Sequence, residues 1–445
     1  MIESASISYD VRCPMHGSIP LNERERKIID NPYYQRLRFI SQLGFSALVY
    51  PGATHSRFSH GLGVMHLAGK IFDHIISSAP DLRRHLSRAG QLDYWRQIVR
   101  FAGLLHDSGH LPFSHAYEPL LPKREGLSLP LQWYRQPSPQ EQASHEDFSV
   151  AVVHALAQES PPLLSMEEAR DVSALINGNI TPHSFAGGRG DGDEFNILPL
   201  LKQIISGEID ADRMDYLRRD AYFAGVSYGY FDLDRLVQAL GYVPSPSGLL
   251  MTLDENALYT YENFLMTRFH MTMQVYLHKT VLLFNHYLHR AVQEGEIECN
   301  LESNMDSFLQ AREDSIMARL YEARDRRWAS RIVHRNPFSR LAQFKGGAEQ
   351  EDRERILAAL READIETIHI REERTLSNLG EGEEGQVPAI QVREERLGRT
   401  SWGPLHEKSV LLDRYNQIFV IENIYCPPED YQRGMDILRS LPPRV

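Results

Sequence analysis

Nineteen histidines occur in the 445 residues, and many of them crowd between His55 and His145 among acids and glycines. The chain reads RFSHGLGVMHLAGKIFDHI from Arg57, YWRQIVRFAGLLHD up to Asp107, and GEIDADRMDYLRRDAYFAG from Gly207. His60, the adjacent pair His106 and Asp107, and Asp212 are residue types that can hold a divalent cation. Two imidazoles and two carboxylates make a mixed nitrogen and oxygen cage with room for water, suited to Mg, Mn, Fe, Zn or Ni. An ion so held lowers the pKa of its water toward neutrality and draws charge from a phosphoryl oxygen, so that hydroxide can attack phosphorus. The chemistry indicated is metal-dependent phosphohydrolysis. Taken singly, each residue has a plainer reading, because a buried histidine is usually hydrogen-bonded core and Asp107 could satisfy a helix terminus.

Helices must position these groups. His60, Val64, Leu67 and Ile71 share one stripe, so His60 points inward with the apolar residues. Ile98, Val99, Ala102 and Leu105 form the buried side of a second helix, which ends in His106-Asp107 before Gly109 and Pro112 break it. In a third helix, Asp212, Tyr216, Arg219 and Asp220 fall at i, i+4, i+7 and i+8, so one face collects acids and a phenol. From Asn22 to about Leu341 apolar residues recur at three- and four-residue intervals and strand-like alternation is scarce, which predicts an all-helical main domain. Pro122 to Ala143 and His183 to Glu194 read as loops, and Asp191-Gly192-Asp193 lacks the ligand spacing of a calcium loop. After about Phe344 come a charged helix, Asp352 to Ala363, and alternating stretches at Ile365 to Arg371, Ala389 to Arg393 and Gln417 to Tyr425. Asn378 to Gln386 reads as a solvated hairpin loop between them. The expected fold is mainly α, with a helical core over residues 1–343 and a small C-terminal α+β unit over residues 344–445.

Composition narrows the class further. With 42% hydrophobic and 24% charged residues the chain matches ordinary soluble globular proteins, which excludes wholesale disorder and fibrous architecture. No stretch approaches the ~18 apolar residues of a membrane span, and the start lacks a basic segment followed by an apolar run, so a cytoplasmic location without membrane partners is expected. Cys13, Cys299 and Cys426 lie far apart without any C-x-x-C pair, which argues against a disulfide framework or a cysteine zinc site and fits a reducing compartment. A net charge of -12 disfavours nonspecific nucleic-acid binding but permits a local basic pocket.

The motifs PGATHSRFSHGLGV, AGLLHDSGHLPFSH, IDADRMDYLRRD and YLHK place the H…HD…D pattern in longer context. With them the chain resembles the HD-domain phosphohydrolases, and within these the deoxynucleoside triphosphate triphosphohydrolase branch, from about Ile7 to Val281. The resemblance implies that His60, His106, Asp107 and Asp212 are the metal ligands, with Asp210 as an acidic neighbour. It places His110 and His115 beside the α-phosphate and makes His145, with Glu146, a general acid or base, a role that suits an imidazole. Arg57, Arg213, Arg268 and Lys279 correspond to phosphate contacts; Arg213 stands where a vertebrate member has a lysine. Gln42 and Asp220 correspond to contacts with the sugar 3′-hydroxyl, and Leu43 and Tyr276 to the wall that leaves a 2′-hydroxyl neither room nor partner. Tyr216 belongs to the same substrate site. His115 and His145 as helix caps, and Leu43 and Tyr276 as ordinary core, are the plainer readings.

Ile28 to Arg38 resembles the stretch that binds an activating nucleotide in regulated members, with Asp30, Gln35 and Arg38 as base contacts within a regulatory segment 1–40. Here Arg12-Cys13-Pro14-Met15-His16-Gly17 replaces the usual Asn-Asp-Pro before His-Gly, with Tyr9 and Asp10 where nucleotide contacts are expected. Structural charges at a helix start and a subunit contact are the alternative for Asp30 and Arg38. The reaction implied is attack on the α-phosphorus of a deoxynucleotide, releasing deoxynucleoside and tripolyphosphate from a homo-oligomer, dimer or tetramer. The competing expectations are the same metal chemistry on a nucleoside monophosphate, a cyclic or signalling nucleotide or a single-stranded nucleic acid, and a non-catalytic nucleotide-binding scaffold.

Overall fold

The computed structural model describes residues 9–113, 121–183, 196–298, 304–345, 350–375, 390–409, 411–412 and 418–441. At its centre runs the helix Arg57–Ser77, whose apolar residues are buried along most of its length. It packs on the helix Leu92–Leu105 at very short range, because glycines stand at the crossing. A Cβ on Gly103 would lie 3.0 Å from the Met65 Cα, and one on Gly61 would lie 3.0 Å from the Leu104 carbonyl. The third helix of the core, Ala211–Ala224, starts where the Asp210 side chain accepts the Arg213 N–H, and it ends at Gly225 in the left-handed region, φ 71°. The helices His145–Gln158, Met166–Ile176 and Leu198–Ile205 complete the layer behind them. The helix Leu258–Met271 runs through one π-helical turn, Thr272–Tyr276, into the helix Lys279–Gln293.

Strands enter at three places. An N-terminal antiparallel hairpin joins β1, Tyr9–Cys13, to β2, Gly17–Leu21. A second hairpin joins β3, Leu240–Ser245, to β4, Gly248–Asp254. Beyond the helical region lie β5, Ser339–Lys345, β6, Ile368–Thr375, β7, Gln391–Arg396, β8, Arg399–Pro404, and β9, Ile418–Cys426. They form a three-stranded antiparallel sheet in the order β5-β9-β6 and a four-stranded sheet in the order β3-β4-β7-β8, in which β4 and β7 run parallel. Leu341, Phe344, Leu360, Ile365, Ile424 and Cys426 pack together where the helices Gln350–Glu362 and Tyr431–Ser440 meet the three-stranded sheet.

The fold is mainly α with small sheets, as expected. The charged helix read over 352–363 is Gln350–Glu362, and the stretch 122–143 holds short 3-10 turns closed at its neck by a Lys123–Gln142 bridge. The hairpins β1–β2 and β3–β4 escaped the periodicity reading. Asp191 to Asp193 and Asn378 to Gln386 lie outside the described residues. Among the described residues no helix is long and apolar enough to cross a membrane.

Candidate metal centre

Three helices aim four side chains into one space. His60, fully buried, lies one turn into the helix Arg57–Ser77. His106 caps the C-terminal end of Leu92–Leu105, with Asp107 directly after it, and Asp212 sits in the first turn of Ala211–Ala224. His60 Nε2 is 2.9 Å from Asp212 Oδ1 and 3.7 Å from Asp107 Oδ2. His106 Nε2 is 3.4 Å from Asp107 Oδ1 and 3.4 Å from Asp212 Oδ1. His106 Nδ1 lies 2.9 Å from the Gly103 carbonyl, which can only accept, so Nδ1 carries the hydrogen and the Nε2 lone pair faces the acids. That buried nitrogen makes no hydrogen bond. An orphaned imidazole nitrogen facing two carboxylates and a second imidazole fits a divalent ion, and these residues could hold one.

The electrostatics have the same signature. Burial alone would pull the His60 imidazole down, but Asp212 and Asp215 hold it up at about 10. His106 is raised against burial by the charge of Asp107 and by Asp212. Asp107 and Asp212 lie below the usual carboxylate range despite burial, the first through Arg57 and the second through His106 and His60. Protons stand in for positive charge here, and an ion would displace them. Asp210 is pushed up to about 7 by burial and by the neighbouring Asp212 charge.

Arg57 grips Asp107 Oδ2 in a buried ion pair. His110 Nε2 is 3.3 Å from Asp107 Oδ1, and the His110 ring stacks on His145 at 4.1 Å. Burial, with Arg57 and His145 adding to it, holds His110 well below the usual imidazole range, so it stays neutral. His145 opens the helix His145–Gln158, whose start is fixed by a reciprocal Ser144–Asp147 cap. Asp147 also accepts Arg124 Nε and the Tyr134 hydroxyl, each at 2.9 Å, which ties the 122–143 loop to the helix end presenting His145. The neighbouring Glu146 carboxyl is raised by burial.

A second wall is built around Asp220, whose oxygens take His55 Nε2 at 2.7 Å and the Tyr276 hydroxyl at 2.9 Å. Tyr276 is the last residue of the π turn, the kind of irregularity that re-aims a side chain. The Tyr216 ring centre is 6.1 Å from that of Tyr276 and 6.5 Å from that of His60, so it lines the space between the two groups. The Gln42 N–H donates to the His55 carbonyl, while Gln42 Oε1 and His55 Nδ1 are buried without partners. Leu43 packs on the main core. Arg213 and Arg268 converge on buried Glu208, at 3.0 and 3.7 Å.

Lys279 is exposed at the first residue of its helix, and His115 lies outside the described residues. Asp30 pairs with Arg26 at 2.9 Å, and Arg38 Nε donates to Gln35 Oε1 at 2.8 Å while its guanidinium covers the Phe58 ring at 3.6 Å. Asp215, His16, His55 and Glu208 were missed in the sequence. Asp215 had a faint signal, an acid four residues before Arg219; the helical wheel grouped Arg219 with Asp212, whereas its guanidinium engages Asp215. His16 comes from the hairpin turn, where the His-Gly pair marks it without pointing to Asp215.

The stretch that holds His60, His106, Asp107 and Asp212 matches a known family. Residues 57–220 match the HD domain and residues 231–394 the HD associated region. The chain is 31% identical over 319 residues to the uncharacterized protein MJ1154 of Methanocaldococcus jannaschii, covering 70% of this chain and 57% of that one. It is 34% identical over 259 residues to the deoxynucleoside triphosphate triphosphohydrolase SAMHD1 of Xenopus laevis, covering 53% of this chain and 37% of that one. The chain spans about half the length of the curated relatives it matches first. A crystal structure of a hypothetical protein from Aquifex aeolicus superposes with a TM-score of 0.72 at 28% identity, over 97% of this chain and 99% of that one.

Proposed function

Because the chain belongs to the HD-domain superfamily, we propose that it is a metal-dependent phosphohydrolase that converts deoxynucleoside triphosphates to deoxynucleoside and tripolyphosphate. The observation that carries this reading is the buried, unpartnered His106 Nε2 facing Asp107 and Asp212 beside His60. When bound there, a divalent ion would supply Lewis acidity and lower the pKa of a water molecule. The remaining work falls to the chain. Arg57, at the edge of the cage, would hold an α-phosphate oxygen and steady the charge that builds on it. Attack by water on the α-phosphorus breaks its bond to the 5′-oxygen, and His145, with neutral His110 stacked against it, would deliver the proton that the departing 5′-oxygen takes up. Arg213, Arg268 and Lys279 would hold the outer phosphates. Gln42 and Asp220 would hold the 3′-hydroxyl, with Tyr276 and Leu43 closing the space where a 2′-hydroxyl would stand. The likeness to a relative named a deoxynucleoside triphosphate triphosphohydrolase supports the choice of substrate.

The test is to load the protein with Mn²⁺, incubate it with each dNTP, an rNTP, a nucleoside monophosphate, a cyclic nucleotide and a labelled oligonucleotide, and resolve the products. Tripolyphosphate and deoxynucleoside from dNTPs, lost in His106→Ala, are expected. Hydrolysis of only another phosphoester, or no product with any divalent metal, refutes the proposal. Repeating the assay with a guanine nucleotide, while measuring the mass of the assembly, tests activation through Asp30, Gln35 and Arg38 and the expected dimer or tetramer.

A further inference from the structure

The turn between β1 and β2 reaches into the centre of the molecule. His16 Nε2 lies 2.6 Å from Asp215 Oδ1, and the His16 side chain is only 5% exposed. The other oxygen of Asp215 lies 2.8 Å from His60 Nδ1. Arg219 grips the same carboxylate with both Nε and Nη2, at 2.7 and 2.8 Å, and its Nη2 also meets Cys13 Sγ at 3.4 Å. Asp215 and Arg219 are fully buried. A Cβ on Gly63 would lie 2.0 Å from Asp215 Oδ1 and 2.5 Å from Arg219 Nη2, so the central helix carries a gap shaped to this pair.

The arrangement exceeds what holding a helix in place requires. A carboxylate on Nδ1 fixes the hydrogen of His60 on that nitrogen, which leaves the Nε2 lone pair aimed at Asp212 and Asp107, and it raises the basicity of the imidazole. The carboxylate in turn has no freedom to rotate, since a bidentate guanidinium fixes its plane and His16 occupies the oxygen that His60 does not use.

We infer that Asp215 is the positioning residue that presents His60 to the metal ion, and that His16, delivered by the N-terminal hairpin, locks Asp215 in that pose. The inference rests on the proposed metal centre and deepens it: the hairpin is a structural part of the cage. Its reach is metal affinity, which is separate from any contact with substrate.

The experiment is Mn²⁺ binding by the full-length, metal-stripped protein, read by competition with a coloured chelator at fixed pH, for wild type, Asp212→Ala, Asp215→Asn, His16→Ala and His16→Gln. Asp215→Asn should weaken binding by about 10- to 100-fold, and His16→Ala by about tenfold, at the low end of that range. His16→Gln, whose amide can donate from nearly the position of the imidazole Nε2, should recover most of the loss. A hairpin that only stabilised the fold would lower the melting temperature in His16→Ala without changing Mn²⁺ affinity, and that result overturns the inference. Because Asp215→Asn leaves Arg219 without its partner and can fail to fold, the His16 pair carries the test on its own. Wild-type protein that binds no Mn²⁺, or Asp212→Ala that binds it as well as wild type, would overturn the metal centre itself, an outcome separate from an unchanged affinity in the His16 and Asp215 variants.

Discussion

Arg57→Met should bind metal more tightly while losing catalysis. Arg57 and Asp107 form an ion pair whose side chains are 7% and 11% exposed. Methionine keeps part of the apolar stem and removes the guanidinium. Without an ion, Asp107 would then face, among the described residues, His60 at 3.7 Å, His106 at 3.4 Å and His110 at 3.3 Å. Removing one partner of a buried pair costs about 3–5 kcal/mol, and these imidazoles place the loss near the lower end, about 3 kcal/mol. A divalent ion at Asp107 replaces the missing charge, so the same substitution must cost less when the ion is bound. Two unit charges ~4 Å apart interact by about 4 kcal/mol at an effective dielectric of 20, and relief of a third of that is about 1.4 kcal/mol. By linkage, that relief reappears as roughly tenfold tighter ion binding. Turnover of dNTP should fall by about 100-fold or more, because the donor that steadies phosphoryl charge is gone. Urea unfolding in Mn²⁺ and in EDTA, together with a Mn²⁺ titration, measures all of this. A folded variant with unchanged or weaker Mn²⁺ binding would refute the reasoning.

Three further outcomes follow from the same geometry. Tyr276→Ala should reduce the dNTP over rNTP preference in kcat/KM by about tenfold or more, worth 1–3 kcal/mol, whereas Tyr276→Phe, which frees one oxygen of Asp220 but keeps the ring, should reduce it less; an unchanged preference in the alanine variant removes Tyr276 from the sugar wall. Gly63→Ala should destabilise the protein by about 1–3 kcal/mol through overpacking, since its Cβ would meet the fixed ends of Asp215 and Arg219; thermal unfolding unchanged from wild type would contradict this. In the metal-free protein His60 is held up at about 10 from an ordinary 6.5, so the folded state binds more protons than the unfolded state between those values. The stability this contributes is fully present below 6.5 and is lost as pH rises through about 10. Melting temperatures in EDTA should therefore fall across that window more steeply than in Mn²⁺, where no such proton remains to be lost, and parallel profiles would count against it.

The inward stripe of His60 and the helix-ending pair His106-Asp107 were legible because a 3.6-residue period and a helix stop are local properties. Asp212 was legible for the same reason, although its helix begins at Ala211, three residues after the acidic run starts at Glu208, because Asp210 serves as the cap. The His16–Asp215 contact joins residues 199 positions apart, and nothing in either neighbourhood announces it. β4 reads GLLMTLD and is buried on both faces, so it lacks the alternation that marks a half-exposed strand. The placement of Tyr276 depends on a single π turn that no residue pattern signals. Charge pairing is less legible: the resemblance makes Arg213 and Arg268 phosphate contacts, and the structure places Glu208 between them.

The parallel pairing of β4 with β7 joins Thr252 to Gln391 across a long intervening stretch of chain. Such non-local closure raises contact order and delays the sheet until late in folding. A fragment stopping at residue 343 would keep β4 while losing β7 and β8, and Thr252, Leu253 and Asp254 would then line an open sheet edge ready to recruit a strand from another molecule. Expression of the N-terminal region by itself should thus yield aggregates, and a usable truncation would have to retain β7 and β8.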